Sequence, residues 1–337
     1  MGIGYNRHMP WDLLGHEWAA NLLKKHLSRG EMRHAYLFSG PPGIGRRSLA
    51  LAFAQAVNCT QPTTLAEPCG VCRICKGTLS LQQTDLSMVE PETDGGMIKV
   101  DQIRALQRSL SLSPYEAKYR IALLLNFQRA NPNAQNALLK TLEEAPKQVI
   151  LLITADSPEN LLPTIASRCE ILRLRPVAIE TLESALISRW TLPTDQARLL
   201  AHISNGRTGL AFKMLKEPEL LEKRSAWVNE FLRTIPLNLR DRFASVEGLT
   251  RSRDHLRLVL QTWLSLCRDM LLCQNQQLNH LTNQDFESEI AGFAGSLSHR
   301  QVVEMMKSID RALEWLELNA NLRLLVENLY LETPTLR

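Results

Sequence analysis

A chain of 337 residues that is 45% hydrophobic and 22% charged has material for two or three domains and the balance of a water-soluble globular protein. Its net charge of +4 is too mild to mark a polyanion binder by itself. Its apolar runs, such as Ile121–Leu125 and Val149–Ile153, are strand-sized, which argues against a membrane-spanning helix. No signal-peptide apolar core opens the sequence, so the cytoplasm is the expected compartment. There, clustered cysteines point to metal before disulfides.

Short β-rich runs alternate with helical stretches up to about residue 176. The predicted strands are Ala35–Ser39, Leu86–Glu90, Arg120–Asn126, Val149–Thr154 and Glu170–Leu174. Apolar runs of this length, separated by helix-period segments, predict a parallel sheet covered on both faces. Arg47–Val57 reads as the helix after the first strand. Asn131 as N-cap and Pro132 at the first helical position announce another, Ala134–Glu144, which Pro146 stops. Beyond Pro176 the strand signal vanishes. Ile179–Trp190, Thr194–Ser204 and Gly209–Leu215 predict three short helices, broken at Pro193 and Gly206. Long amphipathic helices follow from about 219. Val302, Met306, Ile309, Leu313 and Leu316 form one apolar stripe, and Leu322, Leu325 and Leu329 continue it. The expected fold class is therefore α/β followed by all-α. Its segments are an α/β domain over 1–176, a three-helix segment over 177–218 and a helical domain over 219–337.

The first strand runs into Gly40-Pro-Pro-Gly-Ile-Gly-Arg-Arg-Ser48. A phosphate-binding loop reads G-x-x-x-x-G-K-[ST], its Lys neutralising phosphate oxygens and its hydroxyl holding Mg²⁺. Gly40 and Gly45 keep that spacing and Gly43 lies between them, but Arg46 replaces the Lys and Arg47 the hydroxyl. The first change swaps a compact ammonium for a wide planar fork, and the second removes a metal ligand. Backbone N–H groups at a helix start can still bind phosphate, so nucleotide binding stays open. A hydrolytic site also needs carboxylates for Mg²⁺ and for water, normally at the end of the third apolar strand. Here that strand ends Leu125-Asn126-Phe127, and no Asp or Glu occurs between Arg120 and Leu142. Asn126 orients a water but is no base at neutral pH. ATP and Mg²⁺ are therefore not expected to be used by this chain.

Cys59, Cys69, Cys72 and Cys75 give the spacing C-x9-C-x2-C-x2-C, with Gly70 easing the first turn. Four thiolates fill a tetrahedral Zn²⁺ shell and leave no place for water, so the expected site is structural. Buried free thiols, disulfides, an iron–sulfur cluster or a nucleic-acid knuckle are the other readings of such a cluster. Cys169, Cys267 and Cys273 fit no such spacing and are expected in the core. Ser167-Arg168-Cys169 precedes the last strand. Its arginine reads either as a surface charge or as a group that reaches a neighbour's phosphate.

These pieces together resemble the delta-prime family of bacterial DNA polymerase III clamp-loader subunits, within the AAA+ proteins. The carrying residues are His34-Ala-Tyr-Leu-Phe-Ser-Gly40, the four-cysteine insert, Asn136-Ala-Leu-Leu-Lys-Thr-Leu-Glu-Glu144 and Ser167-Arg168-Cys169. The likeness covers residues 34–175. The remainder fits the family's lid and collar by helical pattern and by Asn319-Ala-Asn-Leu-Arg-Leu324.

The resemblance implies a non-hydrolysing stator in a five-subunit ring with gamma/tau and delta subunits, a component of DNA polymerase III, the DNA-directed DNA polymerase of replication. Arg168 would be an arginine finger offered in trans, with Ser167 and Cys169 as its motif. The assembly would place a sliding clamp on primer–template DNA, which would be touched through its phosphates without sequence preference; Lys140 is one candidate contact. By the same resemblance an active subunit would carry an arginine where Gly209 stands, with Arg207 two residues away. A phosphate-sensing polar residue would fall at Ala155 rather than at Thr154. The competing functions are an active gamma/tau-type ATPase, which shares the cysteine and Ser-Arg-Cys motifs, and a zinc-dependent nucleic-acid-binding protein.

Overall fold

A computed structural model describes residues 11, 13–93, 96–144, 146–318 and 320–334; Asn319 of the C-terminal motif lies outside them. By contact the chain divides into two units. One is 1–178 with 207–210, and the other is 179–206 with 211–337.

The first unit is built on five parallel strands: β1 (Ala35–Ser39), β2 (Leu86–Val89), β3 (Arg120–Leu124), β4 (Val149–Ala155) and β5 (Glu170–Arg173), in the order β2-β3-β4-β1-β5. Every residue of β1, β3 and β4 is buried, which is why these strands read as unbroken apolar runs rather than alternating ones. Successive side chains nevertheless serve opposite faces. Tyr36, Phe38, Ile121, Leu123, Ile150 and Leu152 join one core with α1 (Glu17–Arg29) and α2 (Arg46–Asn58). Ala35, Leu37, Ala122, Leu124, Leu151 and Ile153 join the other, beneath α4 (Val100–Leu110) and α5 (Pro132–Glu143). Between α2 and β2 lies α3 (Arg73–Leu79), and α6 (Pro163–Ala166) leads into β5. The Asn131 side chain accepts the Ala134 N–H at 2.8 Å, the cap read from sequence.

In the second unit α7 (Ile179–Trp190) and α8 (Thr194–Ser204) pack on each other. The helix α9 (Thr208–Lys216) starts within the segment 207–210 that belongs to the first unit. The chain continues through α10 (Glu219–Thr234), α11 (Leu239–Ala244), α12 (Val246–Leu249), α13 (Arg253–Gln274), α14 (Glu287–Ser296), α15 (His299–Glu317) and α16 (Leu322–Glu332). The core runs along α13, where Leu256, Val259, Leu260, Trp263, Leu266, Cys267 and Met270 are buried against α10, α14 and α15. On α15 the fully buried seam is Val302, Met305, Ile309, Ala312 and Leu316, while Met306 and Leu313 flank it half-buried. The predicted stripe thus lies on the right face, turned slightly to one side. Among the described residues no helix is long and apolar enough to cross a membrane.

Candidate functional site

The loop after β1 lies at the carboxyl ends of the strands, where open α/β sheets carry their ligands. Gly40 fits there because a Cβ would sit 2.5 Å from the Leu174 carbonyl oxygen. Its N–H is shared between the carbonyls of Ala155 and Asp156. Gly43 and Gly45 adopt the left-handed φ values of +80° and +109°, conformations that favour glycine. The buried His16 steadies the loop, its Nε2–H donating to the Ile44 carbonyl at 2.8 Å. Its Nδ1 is buried without a hydrogen-bond partner.

Arg46 opens α2 and is 8% exposed. Its Nη2 donates to Asn126 Oδ1 at 3.2 Å, while Nη1 is buried without a partner. Burial weakens its hold on its proton, and the Asp156 carboxylate opposes that. Arg47 is exposed. Asn126 lies two residues beyond β3 in the left-handed region. Its N–H donates to Thr154 Oγ1 at 2.9 Å, and Thr154 is buried on β4. Thr154 thus meets the Asn126 backbone, while Ala155 ends β4. The three residues standing where a P-loop ATPase keeps its Lys, hydroxyl and carboxylate are thus Arg46, Arg47 and Asn126. Arg46 and Asn126 are hydrogen-bonded to each other, and none of the three side chains carries a hydroxyl or carboxylate.

Residues 207–210 complete this end of the first unit. The Leu210 N–H donates to the Gly43 carbonyl at 3.0 Å, and a Cβ on Gly209 would lie 2.8 Å from that same oxygen. A side chain at 209 cannot be added without moving the loop. Arg207 is half-buried, and burial lowers its pKa.

The four cysteines converge at the far end of α2. Cys59 follows that helix, Cys72 caps α3 and Cys75 lies inside it. Their Sγ atoms lie within 4.8 Å of one another, and Cys59 and Cys69 are 3.6 Å apart. A tetrahedron of Zn–S bonds has S···S edges of about 3.8 Å, so the donor set fits a zinc ion. Backbone N–H groups of Cys69, Cys72 and Cys75 point at the sulfurs of Cys59, Cys69 and Cys72. Burial would raise Cys72, but N–H donation from Cys75 and Thr60 draws it down to about 6. Cys75 is pushed up by burial and by Cys72. Gln55 of α2 donates to the Cys75 carbonyl, and the Trp11 indole donates to the Ala66 carbonyl, fastening the module to the sheet domain.

Ser167, Arg168 and Cys169 lie between α6 and β5. Ser167 is exposed and donates to the Thr164 carbonyl at 3.2 Å. Arg168 is half-buried, with Nη2 on Glu143 Oε1 at 2.9 Å and Nη1 on the Thr164 carbonyl at 3.0 Å. Cys169 packs on the sheet core, and burial pushes its thiol up to about 12. Glu170 pairs with Tyr36, at the start of β1. Four residues of parallel strand, about 13 Å, therefore separate that level from the glycine loop. Arg168 stands at the end of the sheet opposite the loop and is no part of this chain's own loop site. Lys140 is exposed on α5.

A glycine loop between a buried parallel strand and a helix, a sheet covered on both faces and an appended helical unit define a P-loop protein of the AAA+ class. The family model described as "DNA polymerase III, delta subunit" matches residues 15–178. The chain is 31% identical to the Bacillus subtilis DNA polymerase III subunit delta' over 92% of its own length and 93% of that protein's. It is 38% identical to the Pseudomonas aeruginosa delta' subunit over 45% of this chain and 46% of that one. It is also 35% identical to the Bacillus subtilis tau subunit over 47% of this chain and 28% of tau. A solved gamma-subunit-related protein of Thermotoga maritima aligns over 94% of this chain and 97% of its own, at a TM-score of 0.48 and 17% identity. The chain belongs to the delta-prime family of DNA polymerase III subunits.

Proposed function

We propose that this chain is a clamp-loader subunit that does not hydrolyse ATP itself and assists hydrolysis on a neighbouring subunit. The observation that carries the reading is the Arg46–Asn126 hydrogen bond. The residue in the Lys position is engaged with the residue in the carboxylate position, so the loop is organised around its own side chains. Arg168 supplies the complementary half. Facing away from the loop, it would be offered to ATP on the adjacent gamma/tau-type subunit and would stabilise charge developing on the transferred phosphoryl group. Ser167 and Cys169 fix the turn that presents it.

The zinc ion would be held by Cys59, Cys69, Cys72 and Cys75 as a structural clip, with no open position for chemistry. Residues 1–176 would be the AAA+ domain, 177–218 a lid and 219–337 the collar that meets gamma/tau and delta in a five-subunit ring. Primer–template DNA would be met through phosphates, Lys140 among the contacts, and the sliding clamp through the assembly.

The test is a nucleotide-binding and phosphate-release assay on the purified chain, alongside co-purification with gamma/tau and delta. The expected result is no turnover alone and stable incorporation into the assembly. Intrinsic turnover would return the chain to the active gamma/tau-type class. Tight, steeply salt-dependent DNA binding by the lone chain would favour a zinc-dependent nucleic-acid binder.

A further inference from the structure

Arg168 is not a loose surface cation. It spans two elements that pack on each other: the last residue of α5, Glu143, takes Nη2–H at 2.9 Å, and the Thr164 carbonyl of α6 takes Nη1–H at 3.0 Å. The two charged side chains are 36% and 50% exposed, so the guanidinium is fixed at a surface and still open to it. A guanidinium carries five N–H donors. Two are engaged here, which leaves donors for an arriving phosphoryl oxygen. The end of α5 adds the negative pole of the helix on the same side as the Glu143 carboxylate. Both draw the cation to one place.

Resting on the in-trans reading of Arg168, we infer that Glu143 is a positioning residue for the arginine finger. Its carboxylate holds the fork at one height and heading, so less side-chain freedom is lost when a phosphate on the neighbouring subunit is engaged. Glu143 touches no substrate itself; it acts through Arg168. Because the pair is partly exposed, its contribution is moderate, about three- to five-fold in rate.

The experiment compares ATP turnover of the reconstituted clamp-loader assembly containing wild-type chain, Glu143→Ala, Glu143→Gln, Arg168→Ala or the double variant. Glu143→Ala should lower kcat about three- to five-fold with little change in KM, because the finger acts on the transition state. Glu143→Gln keeps an acceptor oxygen and should recover most of the rate. In the Arg168→Ala background, Glu143→Ala should change nothing further, which a merely structural role would not produce. An unchanged or raised kcat in Glu143→Ala, or an equal loss in the Arg168→Ala background, overturns the inference. A full rate in Arg168→Ala removes the in-trans reading and this inference with it. A loss in Arg168→Ala with none in Glu143→Ala removes this inference alone.

Discussion

Arg46 and Asn126 are bonded to each other across the carboxyl ends of β1 and β3, Nη2 to Oδ1 at 3.2 Å. Two residues separated by eighty positions thus form one part-buried polar contact. Replacing Asn126 with Asp should convert it to an ion pair. Aspartate tolerates the left-handed backbone there, and the gain should be about 1 kcal/mol at pH 7 by urea unfolding. A carboxylate stabilised by a cation contributes above its unfolded pKa and loses that contribution as pH falls through its folded one, so the gain should fade in acid. ATP turnover by the isolated variant should stay at background, since Arg46 and Arg47 remain.

Gly209 approaches Gly43 so closely that a methyl group at 209 would lie 2.8 Å from the Gly43 oxygen. Gly209→Ala should destabilise the first unit by about 1–3 kcal/mol, through displaced backbone. Denaturant unfolding followed at a probe in that unit measures it. A neutral result would mean that residues 207–210 yield easily.

Arg242 is fully buried and, among the described residues, pairs with no carboxylate. Its Nε donates to the Thr234 carbonyl, Nη1 to those of Tyr330 and Thr333, and Nη2 to those of Ile235 and Pro334. All five donors of the fork are used, on carbonyls at the ends of α10 and α16. Burial lowers its pKa. Neither Lys, with three donors, nor Met can serve those carbonyls. Arg242→Lys and Arg242→Met should each cost about 3–5 kcal/mol in the helical unit, read by thermal or urea unfolding.

Asp85 is buried and accepts the N–H groups of Tyr115, Glu116 and Ala117 at 2.7–2.9 Å, with Arg120 at 3.6 Å. Burial alone would raise its pKa, but the backbone donors outweigh it and hold the carboxyl below the ordinary aspartate value of 3.8. A depressed folded pKa gives stability that is present above that value and lost as pH falls toward the folded one. Acid unfolding of Asp85→Asn should accordingly be less pH-dependent than that of the wild type in this window, although the variant is less stable at pH 7.

Metal analysis should find one zinc per chain. Chelation should expose the four thiols to a thiol reagent and loosen residues 59–79 while the sheet keeps its circular dichroism. Cys72→Ser should lower zinc affinity in the same titration.

The parallel sheet was legible because β1, β3 and β4 are buried on both faces and so written as plain apolar runs. The ends of β2, β3 and β5 fall short of the expected ones by one or two residues, where Glu90, Leu125, Asn126 and Leu174 pass into the loops. The cysteine cluster was legible from spacing alone, since two C-x2-C steps confine the thiols locally. Contacts between distant residues were not. No pattern in sequence announces that Arg46 meets Asn126, that Thr154 accepts the Asn126 N–H, or that Glu143 meets Arg168. Each depends on strand register or on where two helices end. Arg242 was equally hidden, because an arginine among helix-period residues reads as a solvated charge until its carbonyl partners, up to 92 positions away, are folded around it.

The most direct measurement is single-turnover ATP hydrolysis in an assembly where only the ATPase subunit facing Arg168 keeps its own catalytic carboxylate. With Arg168→Ala in this chain, the rate should fall by about 10³-fold while the assembly stays intact and the isolated chain remains inert. Undiminished hydrolysis by that assembly, or hydrolysis within the isolated chain, would contradict catalysis offered in trans.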